Sequence, residues 1–87
     1  MKNEPKVETK ARPIYEIARE IRKEWTKVNF AAEPYLVAMS RLSGAGDMYG
    51  ADDAKSIVLY FLSNASGFRG DAAKRIKAEL KSIFNIK

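Results

Sequence analysis

Ile57-Val58-Leu59-Tyr60-Phe61-Leu62, preceded by Ser56 and followed by Ser63-Asn64-Ala65, is the stretch on which the fold turns. Six successive large apolar side chains suit a buried strand as well as a buried helix, and periodicity alone does not separate the two. The flanks do: Ala51–Ser56 and Ser63–Ala65 favour helix, and no second strand-like run exists to pair with this one. Asp52 and Asp53 place negative charge where such a helix begins, which complements its dipole. No polar residue interrupts the six, so the helix is expected to be central and contacted on most sides.

Working towards the C-terminus, Ser66-Gly67-Phe68-Arg69-Gly70 is a tight connection, with two glycines around an aromatic that should pin the turn to the core. A helix follows from about Asp71 to Phe84. Ala73, Ile76, Leu80, Ile83 and Phe84 form its apolar stripe, and Lys74, Arg75, Lys77 and Lys81 line its other faces. Working towards the N-terminus, Gly44-Ala45-Gly46-Asp47-Met48-Tyr49-Gly50 reads as one long glycine-rich loop of the mobile kind that often carries function. Before it lies a helix with Pro34 in its first turn, a stripe of Tyr35, Leu36, Met39 and Leu42, and a stop at Ser43-Gly44. A first amphipathic helix is expected over residues 13–27, with Pro13 at its start and Ile14, Ile17, Ala18, Ile21 and Trp25 inward. On its polar face each acid precedes a base by three residues (Glu16 and Arg19, Glu20 and Lys23, Glu24 and Lys27), a ladder of pairs along one helix. Residues 1–12 alternate lysine and glutamate and are expected to form a disordered charged arm. The chain therefore reads as all-α: one compact four-helix domain over residues 13–87 behind that arm.

Eighty-seven residues hold a single core. With no cysteine, neither a disulfide nor a thiolate metal site assists it, and helix packing carries the stability. Histidine is absent too, which removes the commonest general base and the commonest metal ligand. Asp47, Asp52 and Asp53 fail the alternate-position spacing of a calcium loop, and Gly44-Ala45-Gly46 lacks the preceding strand and third glycine of a phosphate or dinucleotide loop. Ser56, Ser63 and Ser66 have no histidine to activate them. The expectation is a protein that is not an enzyme, with no cofactor and no metal. No apolar run reaches the roughly 18 to 20 residues that span a bilayer, and residues 1–13 lack a signal-like apolar region; a cytoplasmic location is expected, with no membrane partner.

The formal charge of +5 is concentrated at the end of the chain, where residues 67–87 carry six cations against two anions. Arg69, Lys74, Arg75, Lys77 and Lys81 are thus candidates for contact with nucleic acid or an acidic partner. The order of the last two helices permits a helix-turn-helix, but Asp71, Ala72 and Ala73 at the start of the second offer little with which to read a base. Most aromatic residues sit at helical spacing and read as core. Met48, Tyr49 and Phe68 lie in loops and are the candidate partner-binding residues.

Two stretches, Pro13-Ile14-Tyr15-Glu16-Ile17-Ala18-Arg19-Glu20-Ile21-Arg22-Lys23-Glu24-Trp25 and Ser56 through Gly70, are similar to small uncharacterised helical proteins encoded in bacteriophages and mobile elements. The resemblance implies a setting in which short proteins inhibit or adjust host machinery, defence nucleases included; it brings no functional residues with it. Two functions are expected from these readings. The first is a non-catalytic interaction protein, a phage-type inhibitor or modulator of a host nucleic-acid-processing machine, with a protein partner. The alternative is a weakly sequence-specific DNA- or RNA-binding protein that uses the basic C-terminal helix.

Overall fold

A computed structural model describes residues 12–86. The expected arm lies outside the described residues except for Arg12. The first helix, α1 (Ile14–Glu24), buries Ile14, Ile17, Ala18 and Ile21, the stripe that the spacing gives. Pro13 precedes it with φ −57°, a value already suited to helix entry. Two of its first amide groups are satisfied from outside the helix: Ile14 N donates to the Ser43 carbonyl at 2.9 Å and Tyr15 N to that of Leu42 at 2.8 Å. Those bonds tie the start of α1 to the segment that follows the second helix. The helix stops at Glu24 rather than at residue 27. Trp25 leaves helical geometry and carries its indole into the core, stacked on Phe68 at 5.3 Å and edge-on to Phe61 at 6.2 Å.

The connection to α2 (Glu33–Met39) is fixed by one side chain. Asn29 accepts from Ala32 N at 2.8 Å and donates to the Asn64 carbonyl at 3.0 Å, so the entry to α2 and the exit of the third helix are held together. Pro34 lies in the first turn of α2, and Leu36, Ala38 and Met39 are buried. Leu42 is also buried, but it lies past the end of the helix, in the turn that bonds to α1.

The glycine-rich segment departs from the all-α expectation. Residues 48–53 form a small antiparallel hairpin, β1 (Met48–Tyr49) and β2 (Asp52–Asp53), with Met48 opposite Asp53 and Tyr49 opposite Asp52. Gly50 takes φ +63° at the first central position of the two-residue turn, where a side chain would be strained. Asp47 organises the preceding bend: its carboxylate accepts from Ser43 N at 2.7 Å and Gly44 N at 3.3 Å, and its carbonyl accepts from Ala54 N at 3.0 Å. What reads as a loose connector is therefore a pinned turn.

The decisive stretch is helical: α3 (Ala54–Ser63) begins at Asp53, whose carboxylate accepts from Ser56 N at 2.8 Å as an N-cap. Its buried residues are Ala54, Ile57, Val58 and Phe61, a stripe of ordinary width. The expectation that neighbours surround it is corrected, because Leu59 and Tyr60 point outward. The last helix, α4 (Asp71–Phe84), matches the expected span and buries Ala73, Ile76, Leu80 and Phe84, with Ile83 only partly covered. It ends with Asn85 in the left-handed conformation, Ile86 N bonded to the Lys81 carbonyl and Asn85 N to that of Ser82, while Ile86 packs back on the core. In the assembled domain α2 packs against α1 and α3, and α4 packs chiefly against α1. Among the described residues no helix is long and apolar enough to cross a membrane.

Candidate interaction surfaces

Three surfaces of the domain differ in chemistry. The first is the outer side of α3. With Ala54, Ile57, Val58 and Phe61 inward, the opposite side presents Lys55, Ser56, Leu59, Tyr60 and Ser63. Leu59 is 39% exposed and Tyr60 52% exposed. Tyr60 does not stand alone, since its ring lies 5.4 Å from that of Tyr35 on α2, tilted by 35°. Phe30 is 91% exposed; it follows Asn29, whose amide holds the end of α3. Lys55 is the one charged residue on this side of α3, four positions before Leu59 and so next to it on the helix surface. The hairpin that leads directly into α3 adds Met48, 58% exposed, and Tyr49, 39% exposed. Met48 and Tyr49, candidates because they lie in the glycine-rich segment, are exposed, while Leu59, Tyr60 and Phe30 are exposed residues that the sequence reading did not single out.

The second surface is the seam between α1 and α4. Arg12 donates to both oxygens of Glu79, at 2.9 and 2.7 Å, and forms an ion pair with Glu20 at 2.9 Å; Arg75 pairs with the other oxygen of Glu20. Glu20 is held below the ordinary carboxylate range chiefly by the hydrogen bond from Arg75; burial opposes this, and the hydrogen bond from Arg12 adds to the lowering. A separate bidentate pair joins Arg22 to Glu33 at 3.1 and 2.7 Å and ties α1 to α2. The ion pairs among the described residues therefore cross between elements, and the along-helix ladder expected for α1 is not the arrangement that forms. Arg75, expected on a basic binding face, belongs to this neutralised seam.

Comparison with protein-family models, with curated proteins and with solved structures finds no match to this chain. Its surfaces are therefore read from their own chemistry.

The third surface is the other flank of α4, where Lys74, Lys77 and Lys81 follow one another at helical spacing, with Arg69 in the turn before. Lys77 is largely engaged. Its ammonium donates to the carbonyls of Ala65 and Phe68, both at 2.8 Å, and lies 5.7 Å from the centre of the Phe68 ring. Burial, with Lys81 and Arg69 close by, holds it below the ordinary lysine value. Arg69 donates to the Ser66 carbonyl at 3.2 Å and keeps its guanidinium exposed, and Lys74 and Lys81 are exposed. Phe68 is 2% exposed between Trp25 and Lys77: it pins the turn to the core, as its place between two glycines suggests, and the reading of it as a partner-binding residue gives way. The helix-turn-helix reading weakens for a geometric reason. Residues 64–70 separate α3 from α4, longer than the three- or four-residue turn of that motif, and Ala73 at the start of α4 is buried. Among the described residues no group of three or more acidic side chains is placed to hold a metal ion.

Proposed function

We propose that this chain is a non-catalytic interaction module that docks another protein through the outer side of α3, extended by Tyr35 and by the hairpin. One observation carries the reading. A helix whose six central residues are all apolar is covered on one side only, leaving Leu59 and the Tyr60–Tyr35 pair in water. The fold gains nothing from apolar area that water still reaches, whereas an interface uses aromatic anchors of this kind at its centre. The partner that fits is a different protein rather than a second copy. Two copies at formal charge +5 repel each other as whole molecules, which favours a partner of opposite net charge. The complementary surface is an apolar patch with a carboxylate to meet Lys55 and a donor to meet the exposed Asp52 and Asp53 of the hairpin. The setting implied by the resemblance of residues 13–25 and 56–70 makes a nucleic-acid-processing machine the first class of target to try.

A photo-reactive phenylalanine analogue at position 60, with a second at position 74 as control, tests this in cells that express the chain. The reading expects a discrete heterologous adduct from position 60 only. The identified partner, once purified, should bind wild type with a negative heat-capacity change and bind Leu59→Gln roughly tenfold more weakly, the size expected when an interface anchor is removed. An adduct of two copies of this chain, or a partner indifferent to Leu59→Gln, would overturn the reading.

A further inference from the structure

Charge on α4 is segregated in a way that the helix does not need. Glu79 and Arg75 turn towards α1 and Arg12 and are consumed there, while Lys74, Lys77 and Lys81 lie on the other flank beside Arg69. Among the described residues, every ion pair uses Arg12, Arg22 or Arg75; Arg69, Lys74 and Lys81 have no carboxylate partner. We propose that this flank binds the phosphate backbone of double-stranded nucleic acid without reading its sequence. The inference does not rest on the docking role of α3, since it concerns a different surface.

Four features select a duplex backbone over the alternatives. From Ser66 to Ile86 no large apolar side chain is exposed, so this flank lacks the apolar centre that a protein interface needs. No exposed aromatic lies there either, because Phe68 and Phe84 are buried, and single strands are held largely by base stacking on such rings. Asp71 is exposed at the start of α4, the end that would have to enter a groove to read bases, where it repels phosphate. Finally, Lys74 and Lys81 are two helical turns apart, about 10.5 Å, close to three nucleotide steps of about 3.4 Å along one strand. Lys77 between them spends two of its ammonium hydrogens on the carbonyls of Ala65 and Phe68, so it holds the turn carrying Arg69 in place and adds charge rather than a full phosphate contact.

The test is fluorescence anisotropy of the full chain with two labelled duplexes of unrelated sequence, each of about 20 base pairs, and their single strands. Three contacts give a log–log salt slope of about −2.7, hence affinity roughly 40-fold weaker at about 200 mM than at about 50 mM salt. The two duplexes should agree within about twofold, and each should bind more tightly than its single strands. The variant with Arg69→Gln, Lys74→Gln and Lys81→Gln should lose most of that slope, while Lys2→Gln, Lys6→Gln and Lys10→Gln together, or Leu59→Gln, should retain the flank's share. Circular dichroism confirms that each variant is folded. Four results would overturn the proposal: binding that survives the α4 substitutions, binding that the residue 2, 6 and 10 substitutions abolish, tighter binding to single strands, or no binding at about 50 mM salt.

Discussion

Where α1 meets α4, the carboxylates of Glu20 and Glu79 are matched by the guanidinium groups of Arg12 and Arg75, and the polar seam is closed by its own charges. Where α3 turns away from α2, nothing is closed in the same sense: Leu59 and Tyr60 meet water, and the tyrosine finds only the ring of Tyr35. Each surface reaches the limit of what a small chain can supply. Partly exposed ion pairs contribute little net stability because water already solvates the charges, but they cost nothing in solubility. Exposed apolar side chains on a helix also contribute little to folding and do carry a solubility cost, so their retention points outward, to something that covers them. The contrast is sharpest within α3, where neighbours in sequence have opposite surroundings: Phe61 is fully enclosed and Tyr60 half open.

Replacing the enclosed side chain should have the largest effect. Phe61→Ala removes the ring that meets Trp25 edge-on and should cost about 3–5 kcal/mol in denaturant unfolding, a large part of the stability of a domain this size. Next comes Lys77, a cation whose ammonium faces inward. Lys77→Met preserves the aliphatic stem over Phe68 but leaves the carbonyls of Ala65 and Phe68 without their donor, at about 1–2 kcal/mol in the same measurement. At the charged seam, Arg12→Ala should cost about 1 kcal/mol near neutral pH, since its side chain is one-third exposed and its pairs are partly screened.

That last effect has a direction in pH. Glu20 and Glu33 sit below their usual value of 4.5, Glu20 chiefly through Arg75 and Glu33 through Arg22. A carboxylate whose folded pKa is depressed contributes fully above its unfolded value and loses that contribution as pH falls through the folded one. Thermal midpoints of wild type and Arg22→Ala should therefore differ above about pH 5 and converge as the solution is acidified well below pH 4.5. A gap that persists at low pH would show that Arg22 acts through packing instead of charge. The smallest change in stability is expected on the outer side of α3, where Leu59→Gln preserves helix propensity and should cost less than about 1 kcal/mol.

Helix placement was legible in the sequence wherever burial follows spacing along one element. The stripes Ile14–Ile21 and Ala73–Phe84 are of this kind, as are the start of α3 at Asp53 and the end of α4. What escaped depends on contacts between elements. The early end of α1 coincides with Trp25 leaving helical geometry and meeting Phe61 and Phe68, contacts that spacing along one helix does not show. The hairpin pairs only two residues on each side, too few for alternation to register, and its anchor is a single carboxylate, Asp47. In the ladder expected along α1, Glu20 pairs with Arg75 of α4 and with Arg12 instead of with Lys23. Phe68 pins its turn to the core as its setting between two glycines suggests, but its candidacy as a binding residue fails with that of Lys77, whose ammonium is spent on the carbonyls of the same turn. The open side of α3 was concealed by the same six residues that announced the helix. Enclosing a helix on all sides takes more neighbours than three other helices, one of them seven residues long, provide.

The central claim is that the inner side of α3 holds the fold together and the outer side is retained for a partner. It is tested most directly by denaturant unfolding of the double variant Leu59→Gln, Tyr60→Gln beside Phe61→Ala. The account predicts a loss of at most about 2 kcal/mol for the two outward substitutions together, the Tyr60–Tyr35 contact included, with an unchanged helical spectrum. A loss as large as that of Phe61→Ala alone would contradict it, placing Leu59 and Tyr60 in the core and leaving α3 no surface to offer.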